Sequence, residues 1–152
     1  MSLSTELRAA SLPRSVGSAP RGARGLAVAP EVQDICELHD VESIAEAPKF
    51  SFDSSLIGMD EMGMLELIAA CFTTGPLKGR SITLVGRADP RGARSYNMTL
   101  GEKRANAVFG VLIDLGLPLG SIATRSRGKS DATGKDEEGW QLDRRVDIDV
   151  VR

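Results

Sequence analysis

Two hydrophobic periods alternate along the chain from Pro48 onward. "KFSF" alternates apolar and polar positions, which predicts a short strand with Phe50 and Phe52 on one face. Asp53-Ser54-Ser55 reads as a turn, and Asp60 and Glu61 then stand where a first helical turn favours acids. Met64, Leu65, Ile68, Ala69 and Phe72 recur at helical spacing, although Gly58 and Gly63 thin the helix they mark. "TTGPLKG" breaks the pattern, and "SITLVG" follows as a β-branched and apolar strand. After a turn at "DPRGARS", Tyr96 to Leu115 predicts the longest helix, with Ala105, Val108, Phe109 and Leu112 as its buried stripe. Gly116 ends it and Pro118 follows. "SIATRSRG" reads as a short strand, "KSDATGKDEEGWQLD" as a long polar loop, and "RRVDIDVV" as a closing strand. The expected order is β-α-β-α-β-β, an α+β two-layer sandwich with helices packed on one face of a mixed sheet.

The chain before this pattern has another character. Residues 1–30 are rich in Ser, Ala, Gly, Pro and Arg, with four arginines against one glutamate. So few large apolar residues predict a flexible arm or linker over 1–45, ahead of a folded domain over 46–152. Within it, 31–46 reads either as a loose helix or as a stretch running along the domain surface. The arm is either a plain tether or a basic segment able to touch an anionic surface.

Composition narrows the function classes. At 152 residues one domain is expected, large enough to bury a core without a metal. A net charge of -2 and 4% aromatic residues argue against nucleic-acid binding. The most apolar run, Met64 to Phe72, is interrupted by Glu66 and is far shorter than the roughly 20 residues of a membrane span. The first residues lack the basic start and apolar region of a secretory signal, so either the protein is cytosolic or an export segment lies outside this sequence. Cys71 falls in an apolar helical pattern and reads as a small buried hydrophobe, whereas Cys36 falls in the polar segment. The two could pair in an oxidising compartment, but one pair makes no framework.

The densest chemistry lies in "GRADPRGARSYNMTLGEKRANAV". Asp89 follows a strand, in the kind of loop where open α/β sheets place ligand sites. Asn97, Leu100 and Arg104 are spaced three and four apart and share one helix face. An acid and a base flanking a floor at Leu100 would suit a zwitterion, with Asp89 on the ammonium and Arg104 forked on the carboxylate. The competing reading is structural: Asp89 caps the next helix and Arg104 joins a surface ion pair.

Three blocks together resemble a known family. "FSFDSS", the long Gly-Asp-Gly-Asn-Leu-Arg-Ala stretch above and "RGKSDATGKDEEGWQLDRRVDI" are similar, in that order, to the OmpA C-terminal-like domain family. Within that family they resemble the branch of peptidoglycan-associated lipoproteins. The resemblance spans residues 48–152. It implies a non-enzymatic module that binds peptidoglycan through the diaminopimelate of the stem peptide. The implied ligand residues are Asp89, Arg104, Leu100, Asn97, Phe52 and Asp53. It further implies a periplasmic, outer-membrane-associated location with the anchor outside these residues. The implied partners are peptidoglycan and a periplasmic β-propeller protein of the Tol system. Arg87, Pro90 and Asp143 depart from the family's usual residues, and Arg144 or Arg145 would buttress the acidic loop. The alternative is an envelope protein-protein interaction domain with a degenerate pocket.

Other chemistry finds little support. His39 stands alone, so metal sites, cofactors and His-based catalysis lack their residues. "GRADPRG" lacks the Lys-Ser/Thr and glycine spacing of a phosphate loop. The acids of "KDEEG" read as a solvated loop rather than a catalytic pair, and Trp140 as a core or loop anchor.

Overall fold

The computed structural model describes residues 26–38, 55, 57 and 59–151. The anticipated strand at Phe50–Phe52, the turn residue Asp53 and most of the arm lie outside the described residues.

Alternation in the sequence becomes a one-sided sheet. β1 (Leu26–Val28), β2 (Ile82–Arg87), β3 (Ile122–Gly128) and β4 (Val146–Val150) stand in the order β1-β4-β2-β3. β1 runs parallel to β4, β4 antiparallel to β2, and β2 parallel to β3, so the sheet is mixed as anticipated. Ile82 and Leu84 of β2 share the buried face with Val146, Ile148 and Val150 of β4, and Leu84 pairs directly with Ile148. Helices α2 (Met59–Thr73) and α3 (Arg94–Asp114) contribute to the same core. Met64, Leu65, Ile68, Ala69 and Phe72 are buried along α2, and Ala105, Val108 and Leu112 along α3. Phe109 only packs partly against this core.

The other face of the sheet is polar. Arg87 donates to Asp147 at 2.6 Å and to Asp131 at 2.7 Å. Arg145 also binds Asp147, and Arg127 binds Asp131. These bridges tie the far end of β2 to β4 and to the loop after β3. Exposed pairs of this kind are individually weak, but a shared network adds registry.

Residues 26–38 correct the expectation of a loose arm. Leu26–Val28 pairs with Val146–Ile148 at the sheet edge, and Ala29 N–H extends the ladder to the Ile148 carbonyl. Pro30 then starts the short helix α1 (Pro30–Ile35), a position where its missing N–H loses nothing. Val32 and Leu38 are buried. The composition concealed this because three apolar strand residues and two anchors suffice to dock a segment on an existing sheet. A disulfide joins Cys36 to Cys71 of α2 and fastens the segment to the core. The reading of Cys71 as a plain buried hydrophobe is thereby corrected, since its sulfur is covalently used.

The polar stretch after β3 also holds more order than anticipated. It contains helix α4 (Glu137–Asp143), capped by the Asp136 carboxylate accepting from Gly139 N–H. Asp143, which departs from the usual family residue, accepts from the N–H groups of Thr133 and Gly134.

α3 lies unusually close to β2. A Cβ on Gly86 would stand 1.7 Å from the Gly101 carbonyl oxygen, and one on Gly101 would stand 2.8 Å from the Gly86 carbonyl oxygen. Backbone meets backbone there, so neither position has room for a side chain.

Two predictions follow from these contacts. Gly86→Ala should destabilise the domain by about 3 kcal/mol or more through overpacking against backbone, measured by denaturant unfolding. Reduction, or Cys36→Ser with Cys71→Ser, should lower stability by about 2–4 kcal/mol, because the bridge spans 35 residues of chain. Thermal melts with and without reductant check it.

Candidate ligand-binding site

The site is built at the carboxyl end of β2. Arg87 N–H donates to the Arg145 carbonyl and Ala88 N–H to the Gly128 carbonyl, so the exit of β2 is pinned between β3 and β4. The β2–β3 register shifts at Gly86/Arg87, a local bulge of the kind that re-aims a chain beside a site. Asp89 comes next and is 2% exposed. Its Oδ1 accepts from Arg91 N–H at 3.1 Å, closing a turn back onto the chain. Gly92 completes that turn with φ of 91°, in the left-handed region. Lys129 Nζ donates to the Pro90 and Gly92 carbonyls, and Asn97 Nδ2 to the Arg91 carbonyl at 2.7 Å. The loop is therefore held from β3's side and from α3.

Two guanidinium groups hold the Asp89 carboxylate. Arg91 donates from Nε to Oδ1 at 3.2 Å and from Nη2 to Oδ2 at 2.8 Å. Arg144, just after α4, donates from Nη1 to Oδ2 at 3.1 Å and from Nη2 to Glu137 at 2.8 Å. Arg91 also lies over the Trp140 ring, 3.9 Å from its centroid, a cation–π contact. Burial alone would push the Asp89 carboxyl up. The hydrogen bonds from the Arg91 side chain and N–H and from Arg144 outweigh that and hold it below the ordinary carboxylate range. The hydrogen bond from Arg144 likewise lowers Glu137.

Helix α3 places the remaining residues. Asn97, Leu100 and Arg104 all lie on its buried face, as the three-and-four spacing anticipates. Arg104 has no exposed surface, and its Nη1 donates to the Arg87 carbonyl at 2.9 Å, two residues before Asp89. Leu100 is 7% exposed. Phe52 and Asp53 lie outside the described residues. Asp89 does not cap α3, whose N-terminus has no side-chain cap bond, and Arg104 is buried rather than on the surface.

Arg91, Trp140, Glu137 and Arg144 surround Asp89 although only a buttressing arginine was anticipated there. The signals for the others were faint. Arg91 stands two residues after the acid, at the spacing of a local turn. Trp140 and Glu137 sit on a helix that the polar composition of its stretch hides. Arg87, the neighbour of the acidic loop in sequence, sends its side chain to Asp131 and Asp147 on the polar face instead.

These features define an α+β sandwich with a buried, ionised acid at a strand's carboxyl end. The chain belongs to the OmpA family, whose model matches residues 49–142. It is 38% identical over 101 residues to the peptidoglycan-associated lipoprotein of Pseudomonas aeruginosa, covering 65% of this chain and 58% of that protein's length. The namesake protein of Agrobacterium fabrum is 31% identical over 137 residues, covering 89% of this chain and 73% of its own. Among solved structures, the peptidoglycan-associated lipoprotein from Burkholderia pseudomallei superposes with a TM-score of 0.59 at 35% identity, over 67% of this chain and 85% of that one. The C-terminal domain of Helicobacter pylori MotB gives a TM-score of 0.59 at 25% identity, over 68% and 83%.

The Asp89 arrangement predicts a defined acid response. Its carboxyl titrates lower folded than unfolded, so its contribution is fully present above about pH 4. That contribution is lost as pH falls through the depressed folded value. Asp89→Asn should remove this part of the acid dependence and cost about 1.5–3 kcal/mol at neutral pH, because the buried Arg144, although it keeps Glu137, loses a charged hydrogen-bond partner. Denaturant unfolding at a series of pH values tests both.

Proposed function

We propose that this domain binds peptidoglycan non-covalently through the diaminopimelate of the stem peptide, and so anchors the outer membrane or an envelope protein to the cell wall. The observation that carries the reading is Asp89: a carboxylate kept ionised in a buried loop, in a chain whose relatives are named for peptidoglycan association. An ionised acid in a shielded site favours an ammonium far more than the same acid in open water. The far end of diaminopimelate carries both an amine and a carboxylate, which separates it from lysine. Asp89 takes the amine, and Arg104 supplies the matching positive charge from beneath the strand end. Leu100 and Asn97 shape the floor and hold the loop, and Phe52 and Asp53 are the two further ligand residues that this reading names.

The family is a non-enzymatic one, and the task proposed here is reversible capture rather than chemistry. The Cys36–Cys71 disulfide supports an oxidising compartment, which fits a periplasmic, outer-membrane-associated protein. No helix among the described residues is long and apolar enough to cross a membrane. A periplasmic β-propeller of the Tol system is the protein partner this reading carries with it.

A second reading has one observation in its favour. Asp89 already carries two cationic partners, as a pocket turned over to structural use would. Under it the domain is an envelope protein-protein interaction module.

Calorimetric titration with meso-diaminopimelate, with L-lysine as control, separates the two. Wild type should bind diaminopimelate and not lysine. Asp89→Asn, shown folded by circular dichroism, should lose about 2–3 kcal/mol of affinity, about 30- to 150-fold. Absence of heat from folded wild type with both diaminopimelate and a purified wall peptide would reject wall binding in favour of the second reading.

A further inference from the structure

We propose that Arg91 is an internal competitor for the ligand's ammonium, a gate that capture must open by displacing it from Asp89. This inference rests on the wall-binding reading.

The two arginines on Asp89 are not equivalent. Arg144 has a side chain only 4% exposed and is tied at once to Asp89 and Glu137, so it is a fixed part of the site. Arg91 has a side chain 33% exposed and belongs to the turn itself. Its fork covers both carboxylate oxygens, through Nε on Oδ1 and Nη2 on Oδ2. Asp89, with a side chain 3% exposed, thus offers little surface to an approaching cation. The partner that can leave is Arg91. Its side chain can rotate away without breaking the turn, because the Arg91 N–H bond to Oδ1 and the Asn97 bond to the Arg91 carbonyl are made by backbone atoms.

This arrangement has a consequence for selectivity. A neutral ligand has no charge to exchange for the guanidinium and leaves the gate shut. An ammonium can replace the Arg91 charge on the same carboxylate, with the Arg144 bond still in place. The apparent affinity is then the intrinsic affinity reduced by the fraction of molecules with the gate open. Trp140 lies under the Arg91 guanidinium and is the sole tryptophan of the chain, so its fluorescence reports where Arg91 is.

The test compares wild type with Arg91→Gln and Arg91→Ala, each checked for folding by circular dichroism. Each is titrated with meso-diaminopimelate by calorimetry and by Trp140 fluorescence. The variants should bind about three- to tenfold more tightly than wild type. Ligand should change Trp140 fluorescence in wild type, and much less in the variants, where there is no guanidinium to move. Variants that bind when wild type does not would support the gate in its strongest form. Wild type that binds, with variants binding equally or more weakly, would overturn the gate and leave wall binding intact. No binding by any folded form would overturn both.

Discussion

Backbone meets backbone where α3 rests on β2 at Gly101 and Gly86, with no side chain between them. Much of the site follows from that contact. It fixes the height of α3 above the sheet and brings Arg104 one turn further to the carbonyl of Arg87. It also sets Asn97, one turn earlier, against the carbonyl of Arg91. A larger residue at either glycine would lift the helix and separate both side chains from the loop they hold.

Charge does the rest of the organising at this end of the sheet. A carboxylate as buried as Asp89 would ordinarily take up a proton. Here two guanidinium groups and a backbone N–H keep it ionised, which preserves a negative site within a shielded loop. Arg144 reaches it only because α4 delivers the chain from the far loop, with Asp143 and Asp136 stitching that helix in place. Arg87 illustrates how one residue serves both faces. Its carbonyl receives Arg104 on the helix side, while its side chain joins the Asp131 and Asp147 network on the polar side.

The N-terminal segment shows how little local signal a docked edge requires. β1 is three residues long, and α1 is too short to be stable alone. Both persist as part of a larger surface: β4 supplies the hydrogen-bond ladder, Val32 and Leu38 reach the core, and the disulfide to α2 limits escape. The bridge and the ladder act on opposite ends of the segment, so each restrains what the other leaves free.

The core elements were legible in the sequence because their patterns are regular: the stripe of α3, the apolar positions of α2, the β-branched and apolar run of β2, and the alternation of β4. The shared face of Asn97, Leu100 and Arg104 was legible for the same reason, as was the place of Asp89 after a strand. Local pattern could not reveal β1 or α4, since neither has enough residues to establish a period and both are stabilised by distant partners. Nor could it pair Cys36 with Cys71, or bring Arg144 to Asp89 across 55 residues. The identity of the long, regular elements, α2, α3, β2 and β4, is set by the residue pattern along the chain, and so it was determined by sequence alone. The state of Asp89, buried, ionised and covered by Arg91 over Trp140, depends on dielectric and on charges from separate segments, and only the tertiary structure decided it.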